Sequence, residues 1–185
     1  MASSLQILKL IVTALLASTV FASGVVAQDR EAELLLALRD APESEAQRID
    51  RELSLIWDNS GSAAMDLLLK RGREAMEAED YTLAIEHFSA LTDHAPDFAE
   101  GWHARATAYY RAELFGPALD DLQRALSLNP YQYDAIFGLG IMFQDFGDYD
   151  RAARAFDQVL EMNPHHEHAK SARERLAGRG GPQTL

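Results

Sequence analysis

The chain has 185 residues, with 17 basic side chains against 29 acidic ones, no cysteine and a formal net charge of −12. That balance excludes disulfide staples, thiol catalysis and cysteine-ligated zinc. It also leaves no basic stripe to offset repulsion from a nucleic acid or an anionic membrane, so neither is expected as a partner.

Residues 1–27 read as an export signal. A polar start carrying Lys9 runs into the apolar stretch from Leu10 to Val20, and the small residues up to Val25 and Ala27 suit cleavage before Gln28. The apolar run is shorter than the roughly 20 residues a bilayer span needs. After cleavage no stable membrane anchor is expected. The mature chain keeps 16 basic residues against 29 acidic ones, a net charge of −13, which favours cationic partners. Export without disulfides points to a bacterial periplasm, where a stacked core replaces covalent staples.

Residues 28–64 carry two helical patterns broken at Ala41-Pro42. The first places Leu34, Leu35 and Leu38 behind a potential Asp29 cap. The second begins with Ser44 and Gln47 at capping-box spacing and aligns Ile49, Leu53, Ile56 and Trp57 on one face. This helical hairpin is read as a degenerate repeat that caps the apolar face of the unit after it.

From Met65 onward three tracks recur every 34 residues: Ala84, Ala118 and Ala152; Phe88, Leu122 and Phe156; Pro96, Pro130 and Pro164. Gly72, Ala106 and Gly140 form a fourth track, of small side chains. Self-similarity at this period is the mark of an all-α solenoid in which each helix-turn-helix unit stacks on the next. The units span 65–98, 99–132 and 133–166. In each, a proline ends the second helix, because it lacks an N–H and pushes the residue before it out of helical geometry. Residues 167–177 form a closing helix, with Ala169, Ala172, Leu176 and Ala177 available for one face, and 178–185 read as a disordered tail.

The pattern resembles the tetratricopeptide repeat, whose units run aromatic, leucine, glycine and tyrosine along the first helix, then alanine, phenylalanine and proline along the second. The middle unit has Trp102, Tyr109, Ala118 and Pro130, with Arg105-Ala106 in the leucine-glycine slot; the third keeps Leu139-Gly140, Ala152, Phe156 and Pro164. The first keeps Gly72, Ala84, Phe88 and Pro96. The resemblance implies a right-handed superhelix whose first helices line a concave groove for extended or helical peptides. Carried over by phase, that groove presents Leu69, Arg73 and Met76, then His103, Thr107 and Tyr110, then Phe137, Ile141 and Gln144. Some family members clamp a terminal carboxylate with lysines and asparagines; the third first helix, Tyr133 to Asp145, holds no lysine or arginine, so such a clamp is not expected.

No phosphate loop, His-Glu-x-x-His helix or nucleophile elbow occurs, so neither catalysis nor a cofactor is expected. Asp120-Asp121 are read as a solvated face, since adjacent helical positions diverge by about 100°. His165, His166 and His168 could only hold a metal if they converged with a further ligand, and a polar turn is the plainer reading. The sequence therefore reads as a non-enzymatic, protein- or peptide-binding scaffold of the cell envelope. Two alternatives stay open: a homo-oligomer assembled through the flanking helices, for which Trp57 and the hairpin leucines speak, and a metal-binding protein using the histidine cluster.

Overall fold

The computed structural model describes residues 29–179; the segment read as an export signal and all but the first two residues of the expected tail lie outside the described residues. Every regular element among the described residues is helical. Helix α1 spans 29–40, α2 Glu43–Trp57, α3 Ala63–Glu77, α4 Tyr81–His94 and α5 Ala99–Arg111. Helix α6 spans Phe115–Leu128, α7 Tyr133–Asp145, α8 Tyr149–Met162 and α9 Glu167–Arg179. The last helix runs two residues past its expected end, and Ala177 faces solvent while Ala169, Ala172 and Leu176 are buried.

The 34-residue tracks are the core. Ala84, Ala118 and Ala152 are fully buried, and Phe88, Leu122 and Phe156 pack beside them. A Cβ added to Gly72 would lie 2.2 Å from a ring carbon of Phe88, and one added to Gly140 would lie 2.5 Å from the same carbon of Phe156. Glycine is therefore required wherever phenylalanine faces it. In the middle unit the smaller Leu122 takes the aromatic slot, which leaves room for the methyl group of Ala106 in the same buried cluster.

Arg105, in the slot where the repeat usually has leucine, is held by a two-pronged pair with Asp121 at 2.6 and 2.9 Å. It also donates to Thr92 Oγ1 at 2.8 Å and lies over the Trp102 ring. Asp121 is thus buried and paired, and only Asp120 conforms to the solvated face expected of both.

Between units, Ala95, Asn129 and Asn163 precede the prolines with φ near −130° (−129°, −132° and −129°), the extended geometry a following proline imposes. Within units, Glu79, Glu113 and Gly147 occupy the same phase and all adopt positive φ. Asp80 and Asp148 then cap the next helix by accepting from Leu83 N and Arg151 N.

The hairpin does not cap the first unit. Leu34, Leu38, Ile49, Leu53 and Trp57 are buried in one cluster with Tyr133, Ile136 and Val159 of the third unit and Ala169 of α9, and no residue of the first unit joins it. Trp57 meets Tyr133 edge-to-face at 4.9 Å. Two hairpin carboxylates fix the register on the turns between units. Asp50 accepts from Tyr133 Oη at 2.6 Å and Asn163 Nδ2 at 3.2 Å, and Glu31 accepts from Trp57 Nε1 at 2.6 Å and Asn129 Nδ2 at 3.0 Å. His165 Nε2 adds a donor to the Ala41 carbonyl at 2.9 Å. Tyr133→Phe should lower stability by about 1–2 kcal/mol, because Asp50 loses its shortest partner in a part-buried site. Urea unfolding of both proteins measures it.

Candidate functional site

Helices α3, α5 and α7 are the first helices of the three units, and the carboxy-terminal end of α2, with Trp57 and the adjoining Asp58, reaches toward them. Between these four lies a cavity of about 500 Å³ whose wall includes Trp57, Asp58, Arg73, Met76, Glu77, Glu100, His103, Thr107, Gln132 and Asp134.

A chain of polar contacts runs across its floor. Arg73 donates from Nη1 to Asp58 Oδ2 at 2.8 Å and from Nη2 to Asp58 Oδ1 at 2.6 Å and Glu100 Oε1 at 2.7 Å. The other oxygen of Glu100 accepts from His103 Nδ1 at 3.0 Å and from the Gln132 amide nitrogen. Burial by itself pushes the Glu100 carboxyl up, but His103 and Arg73 outweigh it and hold the group below the usual glutamate range. Burial likewise disfavours charge on His103, and Glu100 more than reverses this, so its pKa is raised. Arg73 is raised too, chiefly by its bonds to Asp58. Beside the floor, Asp134 accepts from His166 Nε2 at 3.2 Å.

Four of the nine expected groove residues line this cavity: Arg73, Met76, His103 and Thr107. Leu69 is buried in the core of the first unit. Tyr110 stands further along the groove, half-buried against Phe115, and donates to Asp145 Oδ2 at 2.5 Å. Burial, reinforced by Asp145, pushes its hydroxyl up to about 12. Phe137 packs inward on Phe156 and on the His166 ring, at 5.5 and 5.1 Å between centroids. Ile141 joins the same inner cluster, and Gln144 is half-buried with a buried Oε1 that has no partner.

Asp58, Glu77, Glu100, Gln132 and Asp134 were absent from the phase-derived set. One signal for two of them lay in the sequence: Asp66, Glu100 and Asp134 recur at the same 34-residue interval, one acid per first helix. Gln132 and Asp58 sit outside those helices and carried no such mark.

The histidines do not converge. His165 is bonded to Ala41, while His166 accepts from Ala169 N at Nδ1 and donates from Nε2 to Asp134; the His166 and His168 rings lie 6.1 Å apart. Of the surface offered above for self-association, Trp57, Leu34, Leu38 and Leu53 are buried within the chain and Leu35 is half-buried, leaving Leu36 and Leu55 exposed.

Two family models, each described as tetratricopeptide repeat, match residues 69–133 and 106–177. A TPR repeat-containing protein of Rhizobium etli is 26% identical over 144 residues, covering 76% of this chain and 71% of that protein. Human serine/threonine-protein phosphatase 5 is 28% identical over 103 residues, covering 56% of this chain, which spans only 21% of the phosphatase. Among solved structures, the first TPR of Spaghetti (RPAP3) bound to the HSP90 peptide SRMEEVD superposes with a TM-score of 0.59 at 23% identity, covering 62% of this chain and 91% of that one.

Proposed function

Because this chain is a tetratricopeptide repeat protein, we propose that it is a non-enzymatic scaffold of the bacterial cell envelope, which holds a segment of another protein in the groove between α3, α5 and α7. The observation that carries this reading is the cavity of about 500 Å³ lined by Thr107, which lies three residues from the half-buried Tyr110 on α5. A rigid aromatic beside a partly enclosed pocket is the usual anchor of a peptide interface. The RPAP3 domain bound to a seven-residue HSP90 segment is a precedent for such use of this fold. The amino-terminal signal reading places the mature protein in the periplasm, where the partner would be another envelope protein.

The test is capture from a periplasmic extract by the purified mature chain and by a Met76→Ala, Tyr110→Ala variant shown to be folded by circular dichroism. The variant should recover about tenfold less of whatever the parent enriches, as expected when anchor residues are truncated. Equal recovery overturns the groove assignment, and finding the native protein confined to the cytosol overturns the placement.

A further inference from the structure

The cavity wall carries four carboxylates, those of Asp58, Glu77, Glu100 and Asp134, against the single guanidinium of Arg73 and the imidazole of His103. Arg73 already spends both Nη groups on Asp58 and Glu100, so its end-on fork is taken and its charge is matched by two carboxylates. Glu77 lines the cavity, is exposed and makes no ion pair among the described residues. A second, independent feature sits in the same wall. Gln132 is 1% exposed, its amide nitrogen is committed to Glu100, and its Oε1 has no hydrogen-bond partner among the described residues. A buried acceptor without a donor costs stability, and an N–H group brought by a ligand would remove that cost.

We propose that this cavity receives an arginine side chain of the bound segment, so that the groove selects basic peptides; the inference rests on the peptide-binding reading above. The guanidinium suits the wall because its planar array of five donors can reach carboxylates and a carbonyl together. Met76 and Ala104 supply apolar surface for its methylene stem. The net charge of −12 would steer a basic segment toward the groove from a distance. The preference is opposite in sign to that of the RPAP3 domain, whose bound peptide SRMEEVD carries three acids and one arginine.

Fluorescence anisotropy with two labelled peptides tests this: one in which arginine and leucine alternate, and SRMEEVD. The arginine peptide should bind about tenfold or more tightly than SRMEEVD. A Glu77→Gln, Asp134→Asn variant should weaken the arginine peptide about tenfold, whereas Glu86→Gln, Asp120→Asn, the same change in net charge on residues outside the cavity, should not. Glu77→Gln alone serves if the double variant fails to fold, since its side chain is exposed. Equal weakening by both charge variants overturns the site in favour of diffuse attraction. Tighter binding of SRMEEVD, lost in Tyr110→Ala, overturns the cation preference and leaves the groove standing; binding of neither peptide overturns both.

Discussion

Phe156→Ala will lower the stability of the folded chain by about 3–5 kcal/mol, the range for removing a fully buried aromatic ring from a core that cannot collapse around the space. The ring lies between Gly140, Phe137 and the small residues Ala152 and Ala172, all fixed by helix backbone. Gly140→Ala is damaging for the converse reason, since its Cβ would sit 2.5 Å from Phe156 Cε1 and 3.1 Å from the Ala155 Cβ. Combining Gly140→Ala with Phe156→Leu recreates the pairing of Ala106 with Leu122 in the middle unit. The double variant should therefore be more stable than the sum of its two single effects implies. Urea melts of the four proteins decide this, and strict additivity would show that the two positions are not one steric unit.

Glu100→Ala should cost about 3 kcal/mol, because it leaves the buried imidazole of His103 and the Gln132 amide without their shared acceptor. The lower end of the range applies, since Arg73 keeps Asp58 and its side chain is 42% exposed. The same pair gives stability a defined pH dependence. Glu100 has a depressed pKa in the folded chain, so its contribution is complete above the ordinary glutamate value of 4.5 and is lost as pH falls through the folded value. His103 has a raised pKa, so its contribution is complete below the ordinary histidine value of 6.5 and is lost as pH rises through the folded value. The pair therefore supports the fold most between those two values. Thermal melts across pH for the parent and Glu100→Gln should differ most in that interval, and the gap should narrow as pH falls through the depressed Glu100 value or rises through the raised His103 value.

The solenoid was legible because its constraints are local and periodic. Ala84, Ala118 and Ala152 each meet an equivalent bulky neighbour, Phe88, Leu122 or Phe156, one repeat apart, so one steric rule is written three times. The docking of the hairpin was not legible. Amphipathic spacing identified Leu34, Leu38, Ile49 and Leu53 as buried, but an apolar stripe carries no address, and sequence adjacency suggested the first unit where the third is used. What selects the third unit is a set of polar matches, Asp50 to Tyr133 and Asn163 and Glu31 to Asn129, between residues 83 to 113 positions apart. The groove suffered the same limit. Phe137 lies on α7, as its phase implies, yet its ring turns toward Phe156 on α8 and His166 in the turn before α9, a choice made by those neighbours.

A linear stack in which each unit touches only its neighbours can fray from either end, and its folding can nucleate anywhere. Here the amino-terminal helices clasp the carboxy-terminal unit while Asp58 grips Arg73 in the first, so the two ends of the array are joined through a single brace. Loosening either end then removes contacts from the other, which converts stepwise fraying into one concerted melting transition. The brace also raises the mean sequence separation of native contacts, and with it the loop-closure entropy that must be overcome before they form, so this chain should fold more slowly than an unbraced array of the same length.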